Sequence, residues 1–273
     1  MTQTRVLQTG FDNHYPVWSR DGRLAFYSYQ VDNNEVYVWD GNKLSNISQS
    51  PAQDYSPAWS RDGRLAFRSD LDNNDGNQEI HVWDGITLTK IYQGVIYDMP
   101  VWSKDGRLAF RSYQNDISAI YVWDGVLLTN ISSSLSSAFS PVWSEDGRLA
   151  FESWQAEHKE IYVLDGISLT NISQNTTADD ERPVWSEDGR LAFQSLRDDG
   201  TYETYVWDGK SLINVSQSAA DDYGPDWSTD GRLAFTSNRD GNREIYIWDG
   251  TSLTNITQSP ASDDLPPLWW TPQ

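Results

Sequence analysis

Carboxylate and aromatic side chains recur together just before prolines that lie about 42 residues apart. Paired carboxylates can hydrolyse glycosidic bonds, since one protonates the leaving oxygen while the other acts as base or nucleophile. Asp54 with Asp222 or Asp226 would be such a pair. Mixed with tyrosine, phenylalanine and tryptophan, the same carboxylates are also typical of a recognition surface. The same positions are therefore candidates for hydrolysis and for binding.

Other patterns for catalysis or metal binding are missing from the sequence. There is no cysteine, so thiolate nucleophiles and thiolate metal sites are excluded. The three histidines, His14, His81 and His158, form no H-x-x-x-H pair, and no G-x-S-x-G elbow occurs. The segment 70–79 (DLDNNDGNQE) weakly resembles a calcium loop, but its Gly76 comes one place late for an EF-hand. We therefore predict no metal and no cofactor.

The segments of chain that must position these residues have a repeated sequence. WSRDGRLAF occurs at 18–26 and again at 59–67, and four copies with one letter changed begin at Trp102, Trp143, Trp185 and Trp227. A W-D-G motif follows each copy, with Leu164 as the single exception, and then N-I-S or a near relative, with Lys90 as the single exception. Each unit contains four short runs of β-branched and aromatic residues bounded by Gly, Asp, Ser or Asn, which predicts four strands, A to D.

The A–B hairpin together with the E-I-Y-V-W-D-G run resembles the PD40 repeat, the WD40-like repeat of TolB-type propellers. The resemblance covers essentially the whole chain, although the proline of the usual S-P-D-G turn is Arg, Lys, Glu or Thr here. It implies an all-β fold, a β-propeller of four-stranded antiparallel blades, with residues 1–273 forming one domain.

Six complete units favour six blades, with seven as the alternative. The segment 4–9 (TRVLQT) aligns with a D strand, and 267–271 (PLWWT) aligns with an A strand. These two extra strands either seal a six-bladed ring or form halves of a reduced seventh blade.

The two faces of the predicted disc differ in sequence. Strand alternation places the A–B and C–D turns on one face, where the units are nearly identical, and the B–C and D–A segments on the other, where every unit differs. We call these the uniform face and the variable face. The acidic residues beyond the repeated turns lie in or beside the variable segments, so nearly all of the net charge of −20 is predicted there. Such a charge argues against nucleic-acid binding.

The candidate binding residues are those that vary from unit to unit and lie just before each proline or in the B–C loops. They are His14, Tyr15, Tyr29, Asp54, Tyr55, Tyr97, Asp98, Tyr113, Phe139, Trp154, Asp180, Glu181, Asp222, Tyr223 and Asp226.

TolB-type propellers bind partner proteins or peptides in and around the channel, so the resemblance implies the same here. We predict a non-catalytic module that recognises a protein or peptide, including basic ones, and no nucleic acid or membrane, as a monomer. The alternatives are a carbohydrate-binding propeller, with Tyr29, Tyr113 and Trp154 stacking on sugars, a channel-carboxylate hydrolase, and loops that vary only because they tolerate change.

No signal peptide is visible, which predicts a cytoplasmic protein if the chain is complete and a periplasmic one if it is part of a processed receptor.

Overall fold

The computed structural model describes residues 12–30, 32–70, 78–174, 177–197 and 199–258. The described residues form 24 antiparallel strands in six four-stranded units, here blades 1 to 6. Blade 1 comprises β1 (Asn13–Trp18), β2 (Leu24–Gln30), β3 (Asn33–Trp39) and β4 (Leu44–Asn46), and blade 2 comprises β5 (Gln53–Trp59), β6 (Leu65–Asp70), β7 (Gln78–Trp83) and β8 (Leu88–Ile96). Blade 3 comprises β9 (Val101–Trp102), β10 (Leu108–Gln114), β11 (Ile117–Trp123) and β12 (Leu128–Asn130), and blade 4 comprises β13 (Ala138–Trp143), β14 (Leu149–Gln155), β15 (His158–Leu164) and β16 (Leu169–Asn171). Blade 5 comprises β17 (Asp180–Trp185), β18 (Leu191–Leu196), β19 (Tyr202–Trp207) and β20 (Leu212–Asn214), and blade 6 comprises β21 (Asp222–Trp227), β22 (Leu233–Ser237), β23 (Glu244–Trp248) and β24 (Leu253–Asn255).

The predicted all-β propeller is confirmed. Strands A to D follow one another as an antiparallel meander in each blade, so that the A–B and C–D turns share one face. No helix within the described ranges is long and apolar enough to cross a membrane.

The core lies between blades. Ala25, Val36 and Val38 of blade 1 pack against Leu65 and Phe67 of blade 2, and equivalent clusters recur along the chain. The B-strand phenylalanine stacks on an aromatic ring of its own C strand in every blade, for example Phe151 on Tyr162 at 5.9 Å between centroids. Both faces of each central strand are therefore apolar, which is the pattern that the B and C strands show in sequence.

The repeated nonapeptide forms a latch from each blade to the next. In its turn, Ser19 Oγ accepts a hydrogen bond from the Arg23 amide at 2.8 Å, and Gly22 has a φ of 86°, which L-residues rarely adopt. Arg23 then reaches blade 2, where its Nη2 donates to the Gly63 carbonyl oxygen at 3.0 Å and its guanidinium carbon lies 4.4 Å from the centroid of Trp59.

The tryptophan receives the latch and adds a contact of its own. Trp59 Nε1 donates to the Val17 carbonyl oxygen of the preceding blade at 3.2 Å. Equivalent contacts join each later pair of successive blades up to blade 6. The repeat is therefore explained by packing, because each unit must present the same groups to its two neighbours.

Blades 2 and 3 share one eight-stranded sheet because β8 pairs with strands of both blades. It is the D strand of blade 2, where it pairs with β7, and its last residues then pair with β10 of blade 3, as an A strand does. The repeated N-I-S-Q turn explains the difference. In blade 1, Asn46 Oδ1 accepts the amide of Gln49, whose φ is 45°, and the chain turns out of the D strand. Blade 2 has Lys90 at this position, which pairs with Glu79 at 2.8 Å instead, and the strand continues.

Blade 1 is more exposed than blade 6 at the position of the repeated tryptophan. Its Trp18 is 52% exposed, whereas Trp227 of blade 6 is buried. Within the described ranges, no packing contact comparable to those between successive blades joins blade 6 to blade 1. The segments 4–9 and 267–271 lie outside the described residues, so the choice between six and seven blades stays a prediction.

Candidate functional site

The A strand of each blade except blade 3 contains a β-bulge near its start, next to the variable face. In blade 1, His14 pairs with Tyr27 and Val17 with Ala25, so one extra residue is accommodated on β1. Four blades place a non-glycine residue in the left-handed region here, namely Tyr15, Ser56, Ser140 and Arg182, and blade 6 places Gly224 there. The preceding blade holds this backbone, since the Arg182 amide donates to Glu152 Oε1 at 3.0 Å. The bulge therefore presents the residues on either side of it at a fixed angle.

Blades 1 and 2 carry an aromatic cluster centred on Tyr27. His14 and Tyr15 stack on the Tyr27 ring at 5.4 and 5.6 Å between centroids, and Tyr55 meets it edge-on at 6.0 Å. His14, Tyr15 and Tyr29 are exposed, and Tyr55 is half-buried. The structure thus brings three of the predicted residues together through a fourth ring that the sequence analysis had not selected.

Blades 3 and 4 carry a second cluster centred on Arg111. Its guanidinium carbon lies 5.1 Å from the Tyr97 centroid and 4.5 Å from the Phe139 centroid, and its Nη1 lies 3.4 Å from Asp98 Oδ2. Tyr113 packs against Tyr97 edge-on at 5.8 Å. Four predicted residues therefore meet around one arginine.

The strand register of blade 3 differs by one residue from the alignment that the prolines suggest. Counting back from the prolines puts Tyr97 level with Asp54, but the strand partner that corresponds to Asp54 in blade 3 is Ile96, opposite Ser112. The segment between β8 and β9 therefore holds one more residue before Pro100 than its equivalents do. Tyr97 and Met99 of this segment are 53% and 54% exposed.

Two further groups of predicted residues lie on blades 4 to 6. Glu181 forms an ion pair with Lys159, whose Nζ also lies 5.7 Å from the centroid of Trp154. Tyr223 lies under the guanidinium of Arg243, at 5.4 Å. These aromatics are half-buried, and each has a different partner.

Three aspartates that the sequence analysis included among the candidate binding residues are instead buried between blades. Asp54, Asp180 and Asp222 are each no more than 1% exposed. Burial raises the pKa of Asp54 and of Asp180 to about 6, although nearby serines oppose the rise. Burial also raises the pKa of Asp222, despite an ion pair with Arg239. In this conformation, these carboxylates do not form an exposed contact surface.

Asp54 and Asp222, one of the suggested hydrolytic pairs, lie at different contacts between blades. Asp54 lies against groups of blades 1 and 2, whereas Asp222 lies against groups of blades 5 and 6. Asp226 is half-buried, and its Oδ1 accepts the amide of Trp227 at 3.0 Å. Across the described part of the chain, no group of three or more His, Asp or Glu side chains could hold a metal ion. Most of the weak calcium motif, residues 71–77, lies outside the described residues.

The acidic charge of the variable segments is partly internal. Nine acidic side chains are buried in the described residues: Glu35, Asp54, Glu79, Glu152, Glu160, Asp180, Glu203, Asp222 and Glu244. Several hold the D–A connections in place, as where Ser216 Oγ donates to Glu203 Oε2 at 2.5 Å and accepts the Thr204 amide at 2.9 Å. These carboxylates therefore support the backbone of the variable face and are not exposed on it.

The uniform face also has apolar residues that the sequence analysis missed. Ile86, Val126 and Ile167 occupy the same C–D turn position in three successive blades and are 93%, 94% and 97% exposed. The other blades have Asn42, Lys210 and Thr251 there. In the A–B turns of this face, Glu145 of blade 4 pairs with Arg61 of blade 2 and with Lys104 of blade 3, the latter at 3.2 Å.

Comparison with known families decides the classification. The family model of the TolB beta propeller domain matches residues 119–267, which is more than half of the chain. The chain belongs to this family. No curated protein sequence shows significant similarity to this TolB-type propeller.

Solved structures show the same fold at low sequence identity. An acylaminoacyl peptidase of Pyrococcus horikoshii matches 91% of this propeller with 18% identity and a TM-score of 0.55, and 45% of the peptidase chain is covered. A puromycin-hydrolyzing peptidase of Mycobacterium tuberculosis matches 92% of the propeller with 17% identity and a TM-score of 0.55, and 47% of that chain is covered. TolB from Acinetobacter baumannii matches 83% of it at 18% identity, with a TM-score of 0.48 and 60% of TolB covered. The propeller thus spans about half the length of the two peptidase chains.

Proposed function

We propose that the chain is a non-catalytic binding module that recognises a protein or peptide on its variable face. The observation that carries this proposal is the Arg111 cluster. Tyr97 is about half exposed there, beside the half-buried rings of Tyr113 and Phe139, and two nearby residues in sequence, Met99 and Ile117, are also about half exposed. Aromatic residues, methionine and arginine are enriched in protein interfaces. On a surface that binds no partner, exposed apolar side chains would promote aggregation.

The location of this cluster supports the proposal. The D–A connections of blades 2 and 3, which lead to Tyr97 and to Phe139, both depart from the turn used in blades 1, 4, 5 and 6, where Asn caps a following Gln. The continuous strand β8 and the additional residue after it bring Tyr97 and Met99 to the surface. Departures from an otherwise uniform repeat are where a specific function is expected.

Charge suggests the chemistry of the partner. Asp98 and Asp116 flank the cluster, Asp116 is exposed, and the chain as a whole carries −20. An apolar peptide segment with a neighbouring Lys or Arg would match both the rings and the field. Similarity to peptidases is consistent with a peptide ligand, although the peptidases themselves are twice as long.

Carbohydrate binding receives less support. It required equivalent stacking sites at Tyr29, Tyr113 and Trp154. Their surroundings differ, because Tyr113 packs against Tyr97, Trp154 lies beside Lys159, and Tyr29 is exposed. A composite site across unlike blades fits these differences better.

Site-specific photo-crosslinking tests the proposal. A benzophenone amino acid is placed at Tyr97 in one variant and at Ile86, on the opposite face, in a matched control, and each is irradiated in lysate of the source organism at low and high salt. We expect a discrete cross-linked protein or peptide at position 97 that is reduced by salt and by the added substitution Phe139→Ala. Cross-links at position 86 alone, or equal cross-linking at both positions, would contradict the proposal.

A further inference from the structure

One carboxylate site recurs at three of the contacts between blades. Each copy has an aspartate at the start of an A strand, opposite a B-strand serine in register, with a glutamate of the preceding C strand close by. The three copies are Asp54 with Ser69 and Glu35, Asp180 with Ser195 and Glu160, and Asp222 with Ser237 and Glu203.

In blade 6 the chain fills this site with its own cation. Arg239 Nη2 lies 2.8 Å from Asp222 Oδ1, and Arg239 Nε donates to Ser237 Oγ at 2.8 Å. The guanidinium carbon also lies 4.6 Å from the centroid of Tyr246. This copy shows that a positively charged group fits against the buried carboxylate and its serine.

Blade 5 has the same residues but leaves space between them. Arg197 follows Ser195 by two positions, as Arg239 follows Ser237, and its guanidinium carbon lies 4.5 Å from the centroid of Tyr205. Among the residues that the structure describes, however, this guanidinium makes no ion pair. Asp180 Oδ2 and Ser195 Oγ are buried, and neither has a hydrogen-bond partner there.

A cavity of about 230 Å³ occupies this space. Asp180 and Ser195 contribute to its lining, Arg197 supplies a positive charge, and Phe193, Tyr205 and Leu212 supply apolar surface. This volume is smaller than the pockets that hold drug-sized ligands, so the occupant must be small. A carboxylate and a guanidinium in the wall of one small cavity are complementary to a ligand that carries both charges.

We infer that this cavity, between blades 4 and 5, binds the zwitterion of a small α-amino acid with an aliphatic side chain. The ligand's ammonium group donates to Asp180 Oδ2 and Ser195 Oγ, in the place that the Arg239 guanidinium takes in blade 6. Its carboxylate accepts from Arg197, and its side chain lies against Phe193, Tyr205 and Leu212. Such a ligand satisfies the two unpartnered buried atoms and leaves the local net charge unchanged.

This site is independent of the proposed protein-binding surface. The Arg111 cluster belongs to blades 3 and 4, whereas the cavity is lined by the end of blade 4 and the sheet of blade 5. Failure of one proposal therefore leaves the other intact.

Isothermal titration calorimetry with three matched probes tests the inference. L-leucine carries both charges, 3-methylbutylamine lacks the carboxylate, and 4-methylpentanoate lacks the ammonium group. We expect saturable binding of L-leucine and affinities at least about tenfold lower for the other two, since each loses one charged hydrogen-bonding group. Absence of L-leucine binding, or equal affinity for the amine alone, would overturn the inference.

Two variants and one matched control locate the site. Arg197→Gln and Asp180→Asn should each weaken L-leucine binding by about tenfold or more, whereas Arg239→Gln, in the equivalent position of blade 6, should leave it within about twofold. Circular dichroism establishes that each variant is folded. Arg197 is only partly buried, so Arg197→Gln decides the question even if Asp180→Asn does not fold, and unchanged binding by Arg197→Gln would refute the site.

Discussion

Arg239 and Asp222 form an ion pair in which the carboxylate is completely buried, with Arg239 Nη2 lying 2.8 Å from Asp222 Oδ1. The arginine comes from the B–C loop of blade 6, and the aspartate begins the A strand of the same blade. The pair therefore ties a loop of the variable face to the contact between blades 5 and 6.

Removing this arginine should destabilise the fold. Arg239→Gln leaves Asp222 without its cation, and losing one partner of a buried pair costs about 3 kcal/mol in the free energy of unfolding. Urea denaturation measures the loss. The control is Arg243→Gln, an exposed residue of the same loop, which should change stability by less than about 0.5 kcal/mol. A similar, small effect of both substitutions would show that Asp222 does not depend on Arg239.

The contribution of Asp54 to stability should become more favourable as pH falls from 7 towards 4. The folded-state pKa of Asp54 is raised to about 6, above that of the unfolded chain, so the folded state binds more protons between these two values. The destabilising effect of the ionised carboxylate is complete above pH 6 and disappears towards pH 4. Asp180 should behave in the same way.

The substitution Asp54→Asn isolates this effect. It should stabilise the protein at pH 7 by about 2 kcal/mol and have little effect near pH 4, because the neutral amide mimics the protonated acid. Denaturation curves at several pH values, taken as the difference between variant and wild type, remove the contribution of all other carboxylates. A difference that does not vary with pH would contradict the raised pKa of Asp54.

Each repeated tryptophan should contribute to the free energy of unfolding according to the contacts that it makes. In Trp143→Phe, the hydrogen bond of the indole to the Val101 carbonyl oxygen (3.1 Å) and most of the contact with Arg107 are lost. We expect a loss of about 1–2 kcal/mol. The same substitution at Trp18, which is half exposed, should cost less than about 0.5 kcal/mol. Guanidinium unfolding compares the two, and a larger loss at Trp18 would mean that blade 1 is covered as the others are.

The exposed apolar turn residues should be dispensable for folding. Ile86→Asn, Val126→Lys and Ile167→Thr introduce residue types that other blades already have at this position. The triple variant should unfold within about 0.5 kcal/mol of wild type per substitution, and it should aggregate less on heating. Thermal unfolding followed by light scattering measures both quantities. A large loss of stability would show that these side chains are covered in the folded protein.

The sequence alone predicted the strands because each is bounded by residues with one conformational role. Gly22 in its left-handed turn and Asn46 capping the turn after β4 mark where strands end, and both recur along the chain. Sequence reasoning also assigned the repeated tryptophans to packing, and the indole and guanidinium contacts give the physical reason for their recurrence.

The candidate site was harder to predict because burial depends on strand register, which the prolines alone do not fix. Asp54 lies opposite Ser69 and is buried between blades, whereas the residue in the corresponding place of blade 3 is Ile96, and Asp98 beyond it is partly exposed. Alignment on the prolines also hid the extra residue before Pro100. Arg111 was overlooked because a single basic residue in a B strand gives no signal until its neighbours Tyr97 and Phe139 are known.

The latch has a consequence for how such a chain can change in length. Every unit carries both halves of the contact: an arginine that reaches forward, and a tryptophan and glycine that receive its equivalent from behind. A duplicated unit inserted between two others therefore joins both neighbours without any compensating substitution. Duplication and deletion of gene segments can therefore add or remove whole blades of this kind at little structural cost, while the loops of the opposite face diverge freely.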